Sequence, residues 1–442
     1  MAKANLKAGA AKVDITPAIG GPSSGYAKRT KPSEAIDDPL FSKALVLDDR
    51  KIRLAIITND LLWVPADLVA TVRSLIKKWT RIPQENIFIS ASHTHFGPAV
   101  AKRTEWPWAD ADEAYVTTLT RKMATAAKLA TDALQPARVG FGKGEAPGIS
   151  YNRRTLRPDG KAVMSWSLPA SRANLKFGPV DPQVGVLKVE DEKGRMIASL
   201  INFACHPVSS VDRPYAISAD YPGETMKLIE QAVGGISLFA LGSAGNIVPI
   251  VRGAGAKRRL GLSLAAEALK VLQWIDTTER VRLKAMRRKI SLPIKRFPSV
   301  EWARREVERL EEAKTKARGK KRFTIEDLSD IDGRLLMARR TLRQAERFAG
   351  KRELESEIMA LAIGDIYVIG LPGEIFVEIG QRIKKRSGLE KLLLVSLAND
   401  SIGYVPVRKA YREGGYEARV TNLPRGAGEM LTEAAIRLLG KS

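Results

Sequence analysis

Short apolar runs recur along this chain, and most of them are separated by amphipathic helical stretches. This alternation is typical of α/β proteins, in which sheet strands and the helices that cover them follow each other along the chain. The runs lie at 54–58, 87–90, 184–189, 198–203, 236–241, 362–369 and 392–397. The sequence therefore predicts an α/β fold with a mixed central sheet and helices on both faces. No internal repeat is evident.

All three histidines of the 442 residues directly follow two of these runs. His93 and His95 lie in S-H-T-H-F-G-P after the second run, and His206 lies in N-F-A-C-H-P after the fourth. Imidazole is the commonest protein metal ligand. Residues i and i+2 of a strand share a face, so an H-x-H on a strand directs both rings to one point. The pattern predicts a metal site, and buried turn or core histidines are the alternative.

Polar residues and turns follow the other runs as well. They are Asn59-Asp60, the segment G-S-A-G-N at 242–246, L-P-G-E at 371–374 and N-D-S-I-G-Y at 399–404. Ligands of open α/β sheets bind beyond the carboxyl ends of strands. We therefore expect these segments and the histidines to form one shared site.

The charge balance is strongly basic, with a formal net charge of +24. Such a charge attracts nucleic acid, anionic surfaces or anionic substrates, or it belongs to a solvated basic face. The first residues, M-A-K-A-N-L-K, contain no apolar signal-peptide core, and no apolar stretch has transmembrane length. Cys205 is the only cysteine, which excludes an intramolecular disulfide. These features predict a cytoplasmic protein.

The segment from about 299 to 352 is helical in pattern and dense in charge. It predicts a helical hairpin inserted between two strands. Its apolar stripe consists of Trp302, Val307, Leu310, Leu335, Leu342 and Phe348. We expect the catalytic domain or a second copy of the chain to cover this stripe, because a two-helix hairpin cannot bury it alone. The basic run at 314–322 lacks the pattern of a nucleic-acid module. The whole chain, 1–442, is otherwise predicted to be one domain.

Several motifs occur in an order that identifies a family. They are A-K-V-D-I-T-P at 11–17, Gly25-Tyr26, D-D-P-L at 37–40, the two histidine segments, L-P-G-E and N-D-S-I-G-Y. In this order they resemble the neutral/alkaline ceramidase family of zinc amidases. The chain resembles a short form of the family with the N-terminal catalytic domain alone, since it ends at Ser442 without a C-terminal β-sandwich.

The resemblance implies one zinc ion and a set of residues around it. The zinc ligands correspond to His93, His206, Glu374 and Tyr404. A substrate-contacting histidine corresponds to His95, and two further active-site residues correspond to Arg153 and Tyr416. Asp220 and Asp60 are candidates for carboxylates that orient a ligand imidazole.

Alternatives remain for the residues other than histidine. Glu374 and Asp220 each precede a predicted helix and are also suited to capping it, while Asp60 is also suited to a strand-end turn. Tyr404 is alternatively a half-buried loop aromatic. Arg153 and Tyr416 are of residue types that are common on surfaces.

The segment G-N-I-V-P-I at 245–250 departs from the ceramidase hexapeptide G-D-V-S-P-N. Val248 stands in place of the active-site serine, and Asn246 stands in place of the aspartate. A valine cannot hydrogen-bond a substrate hydroxyl. Recognition of the ceramide headgroup is therefore not expected.

These observations predict a zinc-dependent hydrolase that cleaves an amide bond in a small or lipid-like substrate other than ceramide, by metal-activated water. One alternative is a metal-dependent ester or lactone hydrolase, or a lyase, acting on a small polar substrate. Another is a basic protein that binds nucleic acid or an anionic surface. We expect no specific nucleic acid partner, and homo-oligomerisation stays open. The same ligands accept other divalent metals.

Overall fold

The computed structural model describes residues 5–26, 29–101, 110–169, 171, 174–318 and 325–440. Residues 1–4 and part of the basic run at 314–322 lie outside this description. The helices are α1 Ala66–Thr80, α2 Glu113–Asp132, α3 Asp220–Val233, α4 Ala256–Gln273, α5 Val300–Arg318, α6 Ile325–Arg347, α7 Val377–Ser387, α8 Ala410–Glu413, α9 Tyr416–Val420 and α10 Ala427–Leu439.

The longer strands build two sheets, and short strands form small bridges around them. They are β1 Lys7–Asp14, β2 Ala35–Ile36, β3 Phe41–Asp48, β4 Arg53–Asn59, β5 Ile87–Ala91, β6 Gln135–Glu145, β7 Ser150–Asn152, β8 Arg154–Leu156, β9 Ala162–Met164, β10 Lys176–Phe177, β11 Gln183–Asp191, β12 Met196–Phe203, β13 Ala216–Ile217, β14 Ile236–Leu241, β15 Ile247–Pro249, β16 Leu283–Pro293, β17 Glu353–Ile363, β18 Ile366–Gly370, β19 Glu374–Ile375, β20 Leu392–Val395 and β21 Tyr404–Val405. The mixed α/β class predicted from the sequence is confirmed.

The main sheet has eight strands in the order β14-β12-β11-β6-β1-β3-β4-β5, and the second has four in the order β16-β17-β18-β20. Strand β3 shows how the layers pack. Ala44 and Val46 join the core under the helices, whereas Leu45 and Leu47 join a core shared with the second sheet. The sequence of a strand whose two faces are both buried is a continuous apolar run.

This stacking refines the architecture predicted from the sequence. Helices α1 to α4 cover the outer face of the main sheet, while α7 and α10 cover the outer face of the second sheet. The inner faces pack against each other through side chains such as Leu54, Leu200 and Leu361. The helices therefore flank a pair of sheets rather than a single one. None of the helices in the described ranges is long and apolar enough to cross a membrane.

One strand arrangement occurs three times. In each copy two antiparallel pairings are followed by a parallel pair that is joined through a helix: β1-β3-β4-α1-β5, β6-β11-β12-α3-β14 and β16-β17-β18-α7-β20. The first two copies form the main sheet, in which β1 and β6 pair through Lys7 with Pro136 and Ala8 with Gln135. The fold thus contains a repeat of topology that the sequence did not reveal.

The parallel pairs of the three units end at one place. The backbone N–H of Ser396 after β20 donates to Leu241 O in β14 at 2.8 Å. The N–H of Asn399 donates to Ile89 O in β5 at 2.7 Å. The segments that follow β4, β5, β12, β14, β18 and β20 are therefore brought together, which is the gathering of strand ends expected from the sequence.

The run at 362–369 is not the single strand that was predicted. It turns at Gly364, whose φ is +64°, so that β17 and β18 form a hairpin. Positive φ carries little cost for glycine, which has no Cβ.

The predicted helical insertion is present as α5 and α6, between the paired strands β16 and β17. Val307, Leu310, Leu335 and Ala338 form a small core between the two helices. The expectation that the hairpin cannot bury its own stripe is wrong for these residues. Trp302 is 52% exposed, whereas Phe348 stacks on Phe297 in the core of the second sheet.

Candidate active site

The three imidazoles converge at the meeting point of the strand ends. The ring centroid of His93 lies 4.8 Å from that of His95 and 4.7 Å from that of His206. One nitrogen from each ring lies within 4.8 Å of the others, a grouping that could hold a metal ion. His93 and His95 lie beyond the end of β5, and His93 has a φ of +71°. The expected strand geometry of the H-x-H is therefore wrong, because a loop with a left-handed residue aims the two rings.

Backbone carbonyls orient all three rings. His93 Nδ1 lies 2.7 Å from Leu62 O, and His95 Nδ1 lies 2.9 Å from Gly25 O. His206 Nδ1 lies 2.6 Å from Ala244 O and 3.0 Å from Ile247 O. A carbonyl oxygen can only accept, so each Nδ1 must be the protonated nitrogen. In a neutral ring the lone pair is then on Nε2.

The carboxylate of Glu374 lies next to the imidazoles. Its Oε2 lies 3.4 Å from His93 Nε2 and 3.3 Å from His206 Nε2, and His95 Nε2 lies 3.4 Å from His93 Nε2. Four ligand atoms around a tetrahedral zinc with bonds of 2.0–2.1 Å would be about 3.3–3.4 Å apart. The observed spacings match that edge length.

The electrostatics favour the same protonation states. Burial, together with the neighbouring His93 and His206, holds the pKa of His95 well below its usual value. Burial and Arg153 lower the pKa of His206 to about 4. Burial would raise the pKa of Glu374, but the closeness of His206 and His93 to its carboxylate outweighs burial and leaves the pKa well below the usual range. Neutral imidazoles beside an ionised carboxylate are the forms in which these groups bind metal.

Tyr404 lies on β21, which pairs in parallel with β19 so that Tyr404 stands opposite Glu374. Its hydroxyl accepts a hydrogen bond from Arg153 Nη2 at 3.1 Å. Burial raises the pKa of Tyr404 well above its usual value, and Glu374 acts in the same direction. Tyr416 follows at the edge of the site, with its ring centroid 5.8 Å from that of Tyr404, and burial raises its pKa.

Arg153 is fully buried rather than a surface residue. It donates through Nε to Glu417 Oε1 at 2.8 Å and through Nη2 to Gly245 O at 3.0 Å. Burial would lower the pKa of Arg153, but Tyr404 and Glu417 outweigh it and raise the pKa. Glu417 also binds Arg154, so a buried carboxylate between two guanidinium groups holds Arg153 against Tyr404.

Neither of the two carboxylates proposed to orient an imidazole does so in the described contacts. Asp220 accepts from the backbone N–H groups of Ser209 and Tyr221 and from the Ser209 hydroxyl. Asp60 accepts from Phe41 N at 2.9 Å. Backbone carbonyls already accept every Nδ1 proton, so no carboxylate is needed to orient the rings. Both aspartates organise loops next to the site instead.

Val248 points into a packed apolar cluster. It is fully buried and contacts Tyr151 and Val208, with Tyr26 and Ile250 packed against the cluster. The same segment positions His206, because Ile247 O accepts from both its backbone N–H and its ring. Gly245 is needed here, since a Cβ would lie 2.5 Å from Glu374 O.

Sequence reasoning gave no role to several residues around the histidines. Glu417 directly follows Tyr416, so the G-Y-E segment carried a signal for it. The ring of Tyr26 lies 5.2 Å from that of His95. The guanidinium of Arg29 lies over the Tyr26 ring and donates a hydrogen bond to His95 O at 2.8 Å. Arg252 and Trp166 lie further out and carried no sequence signal.

The fold and site together define a mixed α/β protein with a histidine–carboxylate centre at its strand ends. Residues 6–260 match the family described as neutral/alkaline non-lysosomal ceramidase, N-terminal, and the chain belongs to that family.

Individual proteins agree with this assignment. Neutral ceramidase B of Dictyostelium discoideum is 25% identical over 182 residues, which cover 38% of this chain and 24% of that protein. The crystal structure of a neutral ceramidase from Pseudomonas aeruginosa superposes with a TM-score of 0.74 at 20% identity and covers 99% of this chain and 74% of the other. A ceramidase complexed with C2 gives 0.72 at 19% identity, with coverages of 99% and 75%. At these identities the structures support the fold.

Proposed function

We propose that this protein is a zinc-dependent hydrolase that cleaves an amide bond. One observation carries the proposal: the unprotonated Nε2 of His93 lies 3.4 Å from both His95 Nε2 and Glu374 Oε2, and His206 Nε2 lies 3.3 Å from the same carboxylate oxygen. Lone pairs this close repel unless a proton or a cation lies between them. The lowered pKa values of His95 and His206 argue against protons, and a divalent cation held by His93, His206 and Glu374 would relieve this repulsion. Family membership supports hydrolysis of an amide.

We assign one zinc ion to His93, His206 and Glu374, with Tyr404 as the fourth protein ligand. Two imidazoles and a carboxylate are a common set for catalytic zinc. When bound, zinc would polarise the substrate carbonyl and lower the pKa of water to about 7. His95 also fits the spacing, but we place it outside the metal shell, as a group that faces the substrate.

The other side chains have distinct roles in this proposal. His95, held by Gly25 O through Nδ1, has a free Nε2 that can carry a proton to the leaving nitrogen. Arg153 and Tyr416 stabilise the negative charge that develops on the carbonyl oxygen. Glu417 keeps Arg153 in place through the bond at 2.8 Å.

The proposed substrate is a small or lipid-like amide other than ceramide. Val248 is packed against Tyr151 and Val208 and offers no hydroxyl to a headgroup. When a site built to hydrogen-bond a substrate hydroxyl lacks its partner, discrimination between substrates with and without that hydroxyl falls by up to about 10⁴-fold. Efficient ceramide cleavage by the zinc-loaded protein would contradict this assignment. Val248→Ser is the companion variant, expected to help only if the pocket accepts a sphingoid chain.

Metal analysis followed by a substrate panel tests the function. We expect one zinc per chain and hydrolysis of amides that is abolished by a chelator and restored by zinc. Matched esters and lactones in the same panel test the alternative reaction class. A protein that binds no divalent metal, or whose hydrolysis survives complete chelation, would contradict the proposal.

A further inference from the structure

We propose that Arg252 binds an anionic group of the substrate, so that the preferred substrates are amides that carry a carboxylate. This inference rests on the proposed amide hydrolysis and names the substrate class of the same site. The guanidinium of Arg252 is half-buried near the histidines, and its hydrogen-bond partners among the described residues are all neutral oxygens.

The contacts of Arg252 hold it in place without neutralising it. Its Nε donates to Val208 O at 2.9 Å, Nη1 to Trp166 O at 2.8 Å and Nη2 to the Tyr26 hydroxyl at 3.3 Å. These bonds use three of the five N–H groups of a guanidinium. Within the described part of the chain no carboxylate forms an ion pair with it. The nearby carboxylate of Asp220 accepts from Ser209 and Tyr221 and makes no ion pair with Arg252.

Arg252 connects to the catalytic groups on two sides. Its partner Tyr26 packs its ring 5.2 Å from that of His95. Its guanidinium also lies 5.6 Å from the ring of Trp166, and Arg153 lies 5.1 Å from the same ring. Trp166 is 41% exposed, so solvent reaches this edge of the site. A ligand at Arg252 is therefore one aromatic ring away from His95 on one side and from Arg153 on the other.

The charge near this edge is positive. Arg29 is buried and likewise bonds only to backbone carbonyls among its described partners, those of Ser24, Pro214 and His95. Two guanidinium groups flank Tyr26, and neither has a carboxylate partner in the described residues. A rigid guanidinium with free N–H groups matches the paired oxygens of a carboxylate, and such charge-assisted bonds are about twice as strong as neutral ones.

The surface next to Arg252 is apolar. Val248, Val208 and Tyr151 form a buried cluster, and Leu168 and Ile250 pack against it while remaining partly exposed. An acyl chain fits such a wall better than a sugar or a nucleotide does, because it has no polar groups to leave unpaired. The combination of apolar wall and cation points to an N-acyl amino acid or a related acidic amide.

A matched pair of amides tests the inference. N-hexanoylglycine and N-hexanoylethanolamine differ only in having a carboxylate or a hydroxymethyl group. For the zinc-loaded protein we expect kcat/KM to favour N-hexanoylglycine by about 10- to 100-fold. In Arg252→Gln we expect this ratio to fall to about 1, with Arg252→Lys in between. The monoethanolamide of adipic acid carries its carboxylate on the acyl side of the scissile bond. Comparing its kcat/KM with that of N-hexanoylglycine shows on which side of this bond Arg252 binds the carboxylate.

Arg258→Gln is the matched control. It removes the same charge from α4, where Arg258 pairs with Glu224 and is largely exposed, so the substrate ratio should not change. A ratio near 1 in the unmodified protein, or a ratio that survives in Arg252→Gln, would overturn the inference while leaving amide hydrolysis intact.

Binding separates this inference from the proposed reaction. Calorimetric titration of the zinc-loaded protein with both amides needs no turnover. Tighter binding of N-hexanoylglycine that is lost in Arg252→Gln would support the anion site even if neither amide were cleaved. Equal binding of the two amides would refute it. Circular dichroism of each variant checks that it is folded. If Arg252→Gln does not fold, Arg252→Lys is used in its place.

Discussion

At the scale of single residues, the site depends on which nitrogen of each imidazole carries the proton. Leu62 O, Gly25 O and Ala244 O decide this, because each accepts from a different Nδ1. None of these carbonyls is recognisable from its side chain, since the interaction uses the main chain. The sequence therefore predicted the histidines but assigned their orientation to Asp220 and Asp60, which the structure places elsewhere.

Removing a proposed ligand should remove the metal. In His93→Ala, His206→Ala and Glu374→Gln we expect zinc affinity to fall by on the order of 100-fold or more, because each leaves an incomplete shell. Competition with a chromophoric chelator measures the affinity. Tyr416→Phe is the control and should keep its zinc. Stoichiometric zinc of unchanged affinity in all three ligand variants would refute the assigned shell.

His95 should behave differently from the ligands. We expect His95→Ala to keep stoichiometric zinc and to lose about 10²–10⁴-fold in turnover, as for a lost proton-transfer group. Metal content and hydrolysis are measured on the same preparation. Because His95 Nε2 lies only 3.4 Å from His93 Nε2, metal loss is a clear contrary outcome and would make His95 a ligand.

Asp60 should make stability depend on pH. Burial raises its pKa from 3.8 to about 6, although the cation of Lys43 opposes the shift. The native state therefore prefers protonated Asp60, and this stabilisation is complete below about pH 4 and lost as the pH rises through 6. In the metal-free protein we expect Asp60→Asn to gain up to about 3 kcal/mol relative to the original chain between pH 4 and pH 7.

Urea unfolding at several pH values measures this gain as a difference between the two proteins. Substituting the exposed Asp159 by asparagine gives the control, for which we expect no comparable trend. If the difference for Asp60→Asn is constant with pH, Asp60 does not titrate in this range in the folded state.

At the scale of elements, the strands and helices were largely predictable because apolar periodicity is local. Two exceptions show what apolar periodicity does not predict, namely where a chain turns and which surface covers an apolar stripe. The run at 362–369 contains Gly364, where the chain reverses, yet its apolar residues continue on both sides of the turn. In the hairpin α5–α6, half of the stripe is buried between the two helices and Trp302 is not covered.

The hairpin should support the catalytic site rather than bind nucleic acid. Arg340 on α6 donates to Val420 O at 2.8 Å, at the end of the short helix that carries Tyr416 and Glu417. We expect a chain with residues 299–350 replaced by a short turn to retain zinc but to hydrolyse more slowly, by roughly 10-fold or more, because that helix loses a support. β16 and β17 remain paired without the hairpin, so the sheet should persist.

Nucleic-acid binding by the same two proteins provides the contrast, measured across salt concentrations. A polycation binds any polyanion weakly, so only sequence preference is informative. Unchanged hydrolysis combined with the loss of tight, sequence-selective binding would favour the basic binding protein over the supporting arm.

At the scale of the whole molecule, we expect one cooperative unfolding transition, as the single-domain interpretation predicts. The core between the sheets takes side chains from all three repeated units, including Leu54, Leu200 and Leu361. Calorimetric and van't Hoff enthalpies of the metal-free protein should therefore agree. Leu361→Ala should lower the free energy of unfolding by about 2–5 kcal/mol and move the entire transition. Two separate transitions would mean that the units fold independently.

The sequence by itself determined the α/β class, the helical insertion, the family and the candidate metal-binding side chains, because these depend on periodicity and on residue types in a recognisable order. Only the tertiary structure decided how His93, His206 and Glu374 meet. They follow strands of three different copies of one strand unit. Pairing between β1 and β6 joins the first two copies, and packing of the second sheet on the main sheet brings the third copy to them. It also decided which groups orient the rings and which cation remains available at the edge of the site. Those outcomes depend on backbone carbonyls and on the partners that surround Arg252, and neither leaves a pattern in the sequence.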